Sequence, residues 1–271
     1  MAEFAGPLRL YRHLAWARVR ADASYRTSFV LRIVSAALLT LIDYISIAVL
    51  IHRLHNIGGW SGWQVTYLFG ASNVAFRLAD ATIGGPVERV SQFVRMGTFD
   101  KFLVRPRGAL LQVMGEDFAF RRVGQFLVMV PFLVLALTHV GIRWTPGLVV
   151  FYVYQLVGSV LLFCAIFVTV CCISFWSPET KEVANAFTYG GVTVAQYPVH
   201  VMAPWIRSLV FTLVPVGFTA YLPALVLFDA PNPLGIPAWA SYIAPLACVP
   251  FGVLSTWLWR FAVRHYRSTG S

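Results

Sequence analysis

The sequence predicts an all-α membrane protein with six transmembrane helices, on the strength of its composition, the length of its apolar stretches and the placement of its charges. Of 271 residues, 58% are hydrophobic and 12% charged, with a mean hydropathy of +0.70, whereas a water-soluble domain carries about 25% charged residues. Stretches such as Phe29 to Ile51 and Gly147 to Trp176 are long enough, at about 1.5 Å per residue, to cross a ~30 Å hydrocarbon layer. The net charge of +10 gathers at the ends of these stretches, which is the pattern of membrane topology. Lipids are therefore expected as partners and nucleic acid is not.

The first residues, MAEFAGPLRLYRHLAWARVR, alternate basic with apolar positions, and no small-residue cleavage site follows an unbroken apolar core. They read as an uncleaved segment. Leu10, Tyr11 and Leu14 share one helical face, so residues 1–27 are expected to form a helix lying in the bilayer interface. Spans are predicted near 28–51, 63–83, 123–142, 147–176, 181–200 and 239–262. With no internal repeat or low-complexity linker visible, residues 1–271 read as one transmembrane domain.

Charge sets the orientation. On this scheme the basic residues of the amino terminus, of the 84–122 loop and of the tail share one side with Lys181, while Arg53, Arg143 and Arg207 lie on the other. The positive-inside rule then puts both termini in the cytoplasm of a multi-pass cell-membrane protein. The stretch Trp205 to Phe228 is also long enough to cross, but a seventh span would carry Arg260, Arg264 and Arg267 outside. Pro215, Gly217 and Pro223 interrupt it, which suits a re-entrant helical hairpin within the outer region 201–238. The alternative makes 205–228 the fifth span and leaves 178–200 as a cytoplasmic amphipathic helix.

The loop from Val87 to Gln112 is amphipathic and punctuated. Val90, Phe93 and Val94 repeat at helical spacing, Gly97 breaks that helix, and Arg105-Pro106 restricts the backbone before another begins. Two readings suit these residues: a short helix that docks a partner protein through exposed Asp100, Lys101 and Arg105, or a solvated, positive-inside loop.

Gly97, Asp100, Leu103, Arg105 and Pro106 fall in a G-x-x-D-x-x-L-x-R-P pattern. Further along stand Ser174-Phe175-Trp176, Gln196-Tyr197-Pro198, Pro204-Trp205-Ile206-Arg207, Val214-Pro215 and the tail Arg264-His265-Tyr266-Arg267. In this order and spacing, the chain resembles a family of ABC-2 type export permeases over nearly its whole length. The resemblance implies a six-helix permease with an interfacial amino-terminal helix and a re-entrant hairpin before the last span. It further implies that two permeases, identical or different, work on two ABC ATPase subunits. The region 84–122 would carry a coupling helix seated on the ATPase, with Glu88, Arg95, Gly97, Asp100, Lys101, Leu103, Arg105 and Pro106 as its docking residues.

ATP and Mg are expected on the partner only. The two lysines, Lys101 and Lys181, follow Asp100 and Thr180, so no G-x-x-x-x-G-K-[ST] phosphate loop exists here, and the chain is not expected to be an enzyme with a cofactor of its own. The histidines are scattered over both ends, and the four cysteines lie in apolar segments, suggesting neither a catalytic centre, a disulfide nor a metal site.

Four ionisable residues fall inside predicted spans, where charge is costly and often functional: Arg32, Asp43, Arg77 and Asp80. From the helix rise, Arg32, Arg77 and Asp80 lie within ~9 Å of the cytoplasmic edge and Asp43 ~22 Å from it. The first three can meet as an ion-pair cluster. Asp43 is open to substrate contact, snorkelling, or a serine or tyrosine partner. Asp43 and the Arg77/Asp80 pair also suit an ion relay, so a gradient-driven secondary carrier is the alternative function, although the paired broken-helix repeats common in carriers are not evident. A non-transporting scaffold is a further alternative. The resemblance extends to exporters of drugs, lipids or glycans, and no residue chooses among them.

Overall fold

The computed structural model describes residues 26–54, 56–105, 108–116, 121–177 and 181–266. The expected interfacial helix, Pro106 and the tail from Arg267 onward lie outside the described residues.

The first helix, α1 (Arg26–Leu54), is followed by a two-residue hairpin, β1 (Asn56–Ile57) with β2 (Trp60–Ser61), closed by Gly58 and Gly59. Both glycines have positive φ, +60° and +84°, the backbone a tight two-residue hairpin needs. Ser61 caps α2 (Gly62–Ala79) through a capping box: its hydroxyl accepts from Gln64 N at 3.4 Å, and Gln64 Oε1 accepts from Ser61 N at 2.8 Å. The helix then widens into a π turn at Asp80–Gly84 before Gly85-Pro86.

Four short helices follow: α3 (Gly85–Glu88), α4 (Val90–Arg95), α5 (Asp100–Leu103) and α6 (Ala109–Glu116). After them come α7 (Arg121–His139) and α8 (Pro146–Cys172), the latter capped by Thr145 with Pro146 in its first turn and prolonged by a 3-10 turn at Ile173–Phe175. Then α9 (Lys181–Ala195) leads to α10 (Pro204–Thr212), which meets the stretch Val216–Leu227 at 81°. That stretch is a 3-10 turn followed by α11 (Tyr221–Leu227). Last come α12 (Ala238–Ile243), a 3-10 turn at Ala244–Ala247 and α13 (Cys248–His265).

Three boundaries differ from expectation. The third helix ends at His139, ahead of Gly141 at φ +79°. The fifth stops at Ala195, because Pro198 cannot continue it and biases the residue before it away from helix. The last long helical segment is broken at Ala244–Ala247, where Pro245 lies, and runs on to His265.

Every residue of α2 from Val65 to Phe76 is buried, so this helix is the axis of the molecule. Its position explains polar residues that lipid would not tolerate, since each finds a partner inside. Thr66 Oγ1 donates to Gly62 O at 2.9 Å, Asn73 Nδ2 to Phe69 O at 2.9 Å, and Ser72 Oγ to Ala195 O at 3.0 Å across to α9. Helices α7, α8 and α9 surround α2, while α1 lies mainly on α7 and α13 mainly on α8. Tyr44 of α1 stacks on Phe132 of α7, ring centroids 3.4 Å apart. Away from that contact, α1 exposes Leu31, Val34, Leu38, Ile42, Ile45 and Val49, a face suited to lipid or to another apolar surface.

Among the described residues, Pro146–Phe175 and Ala238–His265 are long and apolar enough to cross a membrane, and a third crossing results if the bent pair 204–227 is one span. Exposed Trp144, Trp205, Trp239 and Tyr242 stand near one end of the bundle, and exposed Trp176, Trp257 and Phe261 near the other, as aromatic residues do at the two interfaces of a bilayer.

Candidate functional site

The two ends of the bundle are built differently. At the end holding the hairpin, the loop around Pro198–Met202 is tied down by hydrogen bonds. His200 Nε2 lies 2.8 Å from Gly58 O and its Nδ1 3.1 Å from Tyr221 OH, while Arg207 donates to Met202 O at 2.7 Å and to His200 O at 2.6 Å. Deeper in, Tyr67 OH donates to Gln155 Oε1 at 2.7 Å, Gln155 Nε2 donates to Thr219 O at 3.3 Å, and Ser159 Oγ donates to the same carbonyl at 2.6 Å. These bonds join α2, α8 and the turn at Val216–Phe218.

At the opposite end, α4 and α5 form a hook. Gly97, at φ +64°, ends α4 in a backbone conformation that a Cβ disfavours. The chain reverses, and Phe99 N donates to Phe93 O at 3.1 Å while Gly97 N donates to Val94 O at 3.2 Å. Gln112 Nε2 of α6 donates to Phe102 O at 3.0 Å and closes the hook from below.

One side of the hook is apolar and fully inserted: Val90, Val94, Phe99 and Phe102 are buried. The Phe99 ring lies 5.0 Å from Phe175 at the end of α8, 6.3 Å from Trp259 of α13 and 5.2 Å from Tyr266 just beyond it. Phe102 adds edge contacts to Phe93 at 5.3 Å and to Phe99 at 5.7 Å. Such aromatic pairs contribute about 0.5–1.5 kcal/mol each beyond the area they bury.

The other side of the hook is open. Arg95, Met96, Thr98, Asp100, Leu103, Val104 and Arg105 are exposed, Val104 to 84%. Lys101 departs from expectation. It is only half-exposed, because its ammonium lies 4.6 Å from the centre of the Phe93 ring and 4.7 Å from that of Phe102, a cation–π seat that holds the stem against the hook. Glu88 ends α3; its side chain, like that of Arg32, is outside the described structure.

Of the four ionisable residues expected inside spans, Asp43, Arg77 and Asp80 have described side chains. Asp43 is exposed on α1. Arg77 is half-buried with its guanidinium 5.3 Å from the Phe76 ring centre. Asp80 is buried in the π turn, where Gly84 leaves room for its carboxylate: a Cβ there would overlap Asp80 Oδ1 and sit 3.1 Å from Phe167 Cζ.

Sequence reasoning singled out Glu88, Arg95, Gly97, Asp100, Lys101, Leu103, Arg105 and Pro106 in this region and missed Phe99 and Phe102, which are buried and anchor the hook. The available signal was Phe93, Phe99 and Phe102 in a loop otherwise suited to water. It also treated Phe175 and Tyr266 as separate motifs, whereas Phe99 brings them together.

A family model described as "ABC-2 family transporter protein" matches residues 37–270. No curated protein and no solved structure matches the chain.

Proposed function

Because the chain belongs to the ABC-2 family of transporter proteins, we propose that it is the permease subunit of an ATP-driven exporter whose ATPase is a separate polypeptide. Family membership and its apolar helices make it a membrane-embedded component of an ABC transporter; export, pairing with a second permease, and ATP with Mg on the partner belong to the proposal.

The observation that carries the reading is the two-sided hook. A helix–turn–helix that buries one side in the bundle while exposing Met96, Leu103 and Val104 among Arg95, Asp100 and Arg105 is built to hold a protein partner. A loop with no partner gains nothing from presenting Val104 to water. Apolar side chains ringed by charge follow the apolar-centre, polar-rim layout of a docking interface.

The proposed arrangement has six spans, and the charge asymmetry supports placing the hook and both termini in the cytoplasm. The bond from Ser72 of α2 to Ala195, the last residue of α9, carries the end of α9 inside the bundle, which supports α9 as part of the fifth span rather than a surface helix. The 81° bend between α10 and Val216–Leu227 supports a re-entrant hairpin on the outer side, buried against protein as such backbone must be. The plasma or inner membrane is the proposed location.

The test is affinity purification of the chain co-expressed with the ABC ATPase encoded beside it, with and without Arg105→Glu. A stable complex, weakened by the charge reversal, supports the permease reading. If no ATPase associates in mild detergent or in lipid, the reading fails and a gradient-driven carrier using Asp43 becomes the one to pursue.

A further inference from the structure

We propose that the outward face of α13 binds one anionic glycerophospholipid, with its phosphate held between Arg260 and Arg264 and its glycerol and acyl chains lying along Phe261, Trp257, Val253 and Pro250. The inference rests on the chain being membrane-embedded and requires no ATPase, so it is separate from the permease reading.

These six residues recur at spacings of three or four and form one stripe on α13. All six are exposed, Val253 to 66% and Trp257 to 58%. Ser255, Trp259 and Ala262, on the opposite side of the helix, are buried, so the stripe faces away from the bundle. Its chemistry changes in order along the helix: apolar at Pro250 and Val253, aromatic at Trp257 and Phe261, cationic at Arg260 and Arg264. A lipid changes in the same order from acyl chain through glycerol to phosphate. The lengths agree as well. Pro250 to Arg264 rises about 21 Å at ~1.5 Å per residue, and one leaflet with its headgroups is about 20–22 Å, half of a ~40–45 Å bilayer.

The aromatic part is built from two helices. Trp257 stacks on Phe261 at 5.7 Å and 17°, Trp176 from the end of α8 lies 6.0 Å from Phe261 at 31°, and His265 lies 4.2 Å from it at 39°. His265 Nδ1 donates to Phe261 O at 2.8 Å, which fixes that ring beside its neighbour. Four rings in near-stacked succession give a broad apolar platform directly below the cations. Among the described residues neither Arg260 nor Arg264 has a hydrogen bond or ion pair, whereas Arg207 at the hairpin end commits its guanidinium to Met202 O and His200 O. Two like charges four residues apart on a helix repel. A phosphate shared between them removes that repulsion and accepts charge-assisted hydrogen bonds from both.

The experiment uses the purified full-length chain, stripped of lipid in mild detergent and titrated with dioleoylphosphatidylglycerol or dioleoylphosphatidylcholine, which share acyl chains and differ in headgroup charge. Native mass spectrometry counts the bound lipid. The first phosphatidylglycerol is expected to bind about tenfold tighter than phosphatidylcholine, and Arg260→Gln with Arg264→Gln is expected to lose most of that preference. Trp257→Leu with Phe261→Leu should weaken phosphatidylglycerol by about threefold or more while its preference over phosphatidylcholine persists. Arg260→Lys with Arg264→Lys keeps the charge and should keep the preference, and Arg143→Gln, an exposed cation at the other end of the bundle, should change nothing. Equal affinity for the two lipids overturns the proposal, as does full preference in the glutamine pair. An equal loss in Arg143→Gln also overturns it, because net charge alone would then explain the binding. Displacement of bound phosphatidylglycerol by millimolar inorganic phosphate does so too, making the ligand a free anion and not a lipid. With no ATPase present, none of these outcomes bears on the permease reading.

Discussion

The ring of Phe99 meets the ring of Phe175 edge-on, with centroids 5.0 Å apart and planes at 86°. One residue comes from a short surface hook and the other from the end of the longest apolar span, so a loop that looks solvent-facing in the sequence is moored to the transmembrane bundle. Its exposed side is thereby held in a defined geometry.

Val104 is exposed to 84% and makes little contribution to the fold. Val104→Glu is expected to weaken ATPase association roughly tenfold or more while leaving thermal stability unchanged. Binding of the purified ATPase to immobilised chain checks the first part. A thiol-reactive dye that reports exposure of buried Cys171 and Cys172 on heating checks the second.

Glycines on the two tightly associated helices should respond oppositely to alanine. A Cβ at Gly158 would meet Pro245 O at 2.6 Å and Pro245 Cα at 3.0 Å, both backbone atoms, whereas one at Gly252 meets nothing within 4 Å. Gly158→Ala is expected to destabilise by about 1–3 kcal/mol. Gly252→Ala is expected to be neutral or to stabilise by up to about 1 kcal/mol. Thermal midpoints of the two variants, measured side by side in one detergent, check the contrast.

Tyr67 and Gln155 are both buried and joined by a 2.7 Å hydrogen bond. Gln155→Leu strands the tyrosine hydroxyl and should cost about 1–3 kcal/mol. Adding Tyr67→Phe removes the stranded group, so the double variant should be less damaged than the sum of the singles. A double-mutant cycle on thermal stability reads this directly, and strict additivity would deny the bond any role.

Arg143 and Asp100 are both exposed, at opposite ends of the bundle. In a cysteine-free background, Arg143→Cys is expected to react with a membrane-impermeant maleimide on intact cells, and Asp100→Cys only after permeabilisation. The reverse pattern would invert the proposed topology and put the hook outside.

Much of the architecture was legible in the sequence because a bilayer imposes simple demands. Spanning helices must be long, apolar and internally hydrogen-bonded, and the two segments that meet this among the described residues, Pro146–Phe175 and Ala238–His265, lie over apolar stretches picked out by length and charge alone. Boundaries shifted where a local device intervened: Gly141 ended α7, Pro198 shortened α9 and Pro245 broke the approach to α13. The hook's turn was legible too, since Gly97 takes a backbone that few other residues tolerate.

What the sequence by itself determined was the class of protein, the apolar segments, the charge asymmetry and the position of the punctuated loop from Val87 to Gln112. Each of these depends on composition within one window of the chain. Only the tertiary structure decided that α2, with Thr66, Ser72 and Asn73 along it, is the buried axis, and that Lys101 rests on Phe93 and Phe102 instead of facing water. It alone brought Phe99, Phe175, Trp259 and Tyr266 into one cluster. The physical reason is that aromatic packing joins residues through space and leaves no periodicity at any one of them, so four phenyl, indole and phenol rings far apart in the chain become one joint only when the helices that carry them end at the same place.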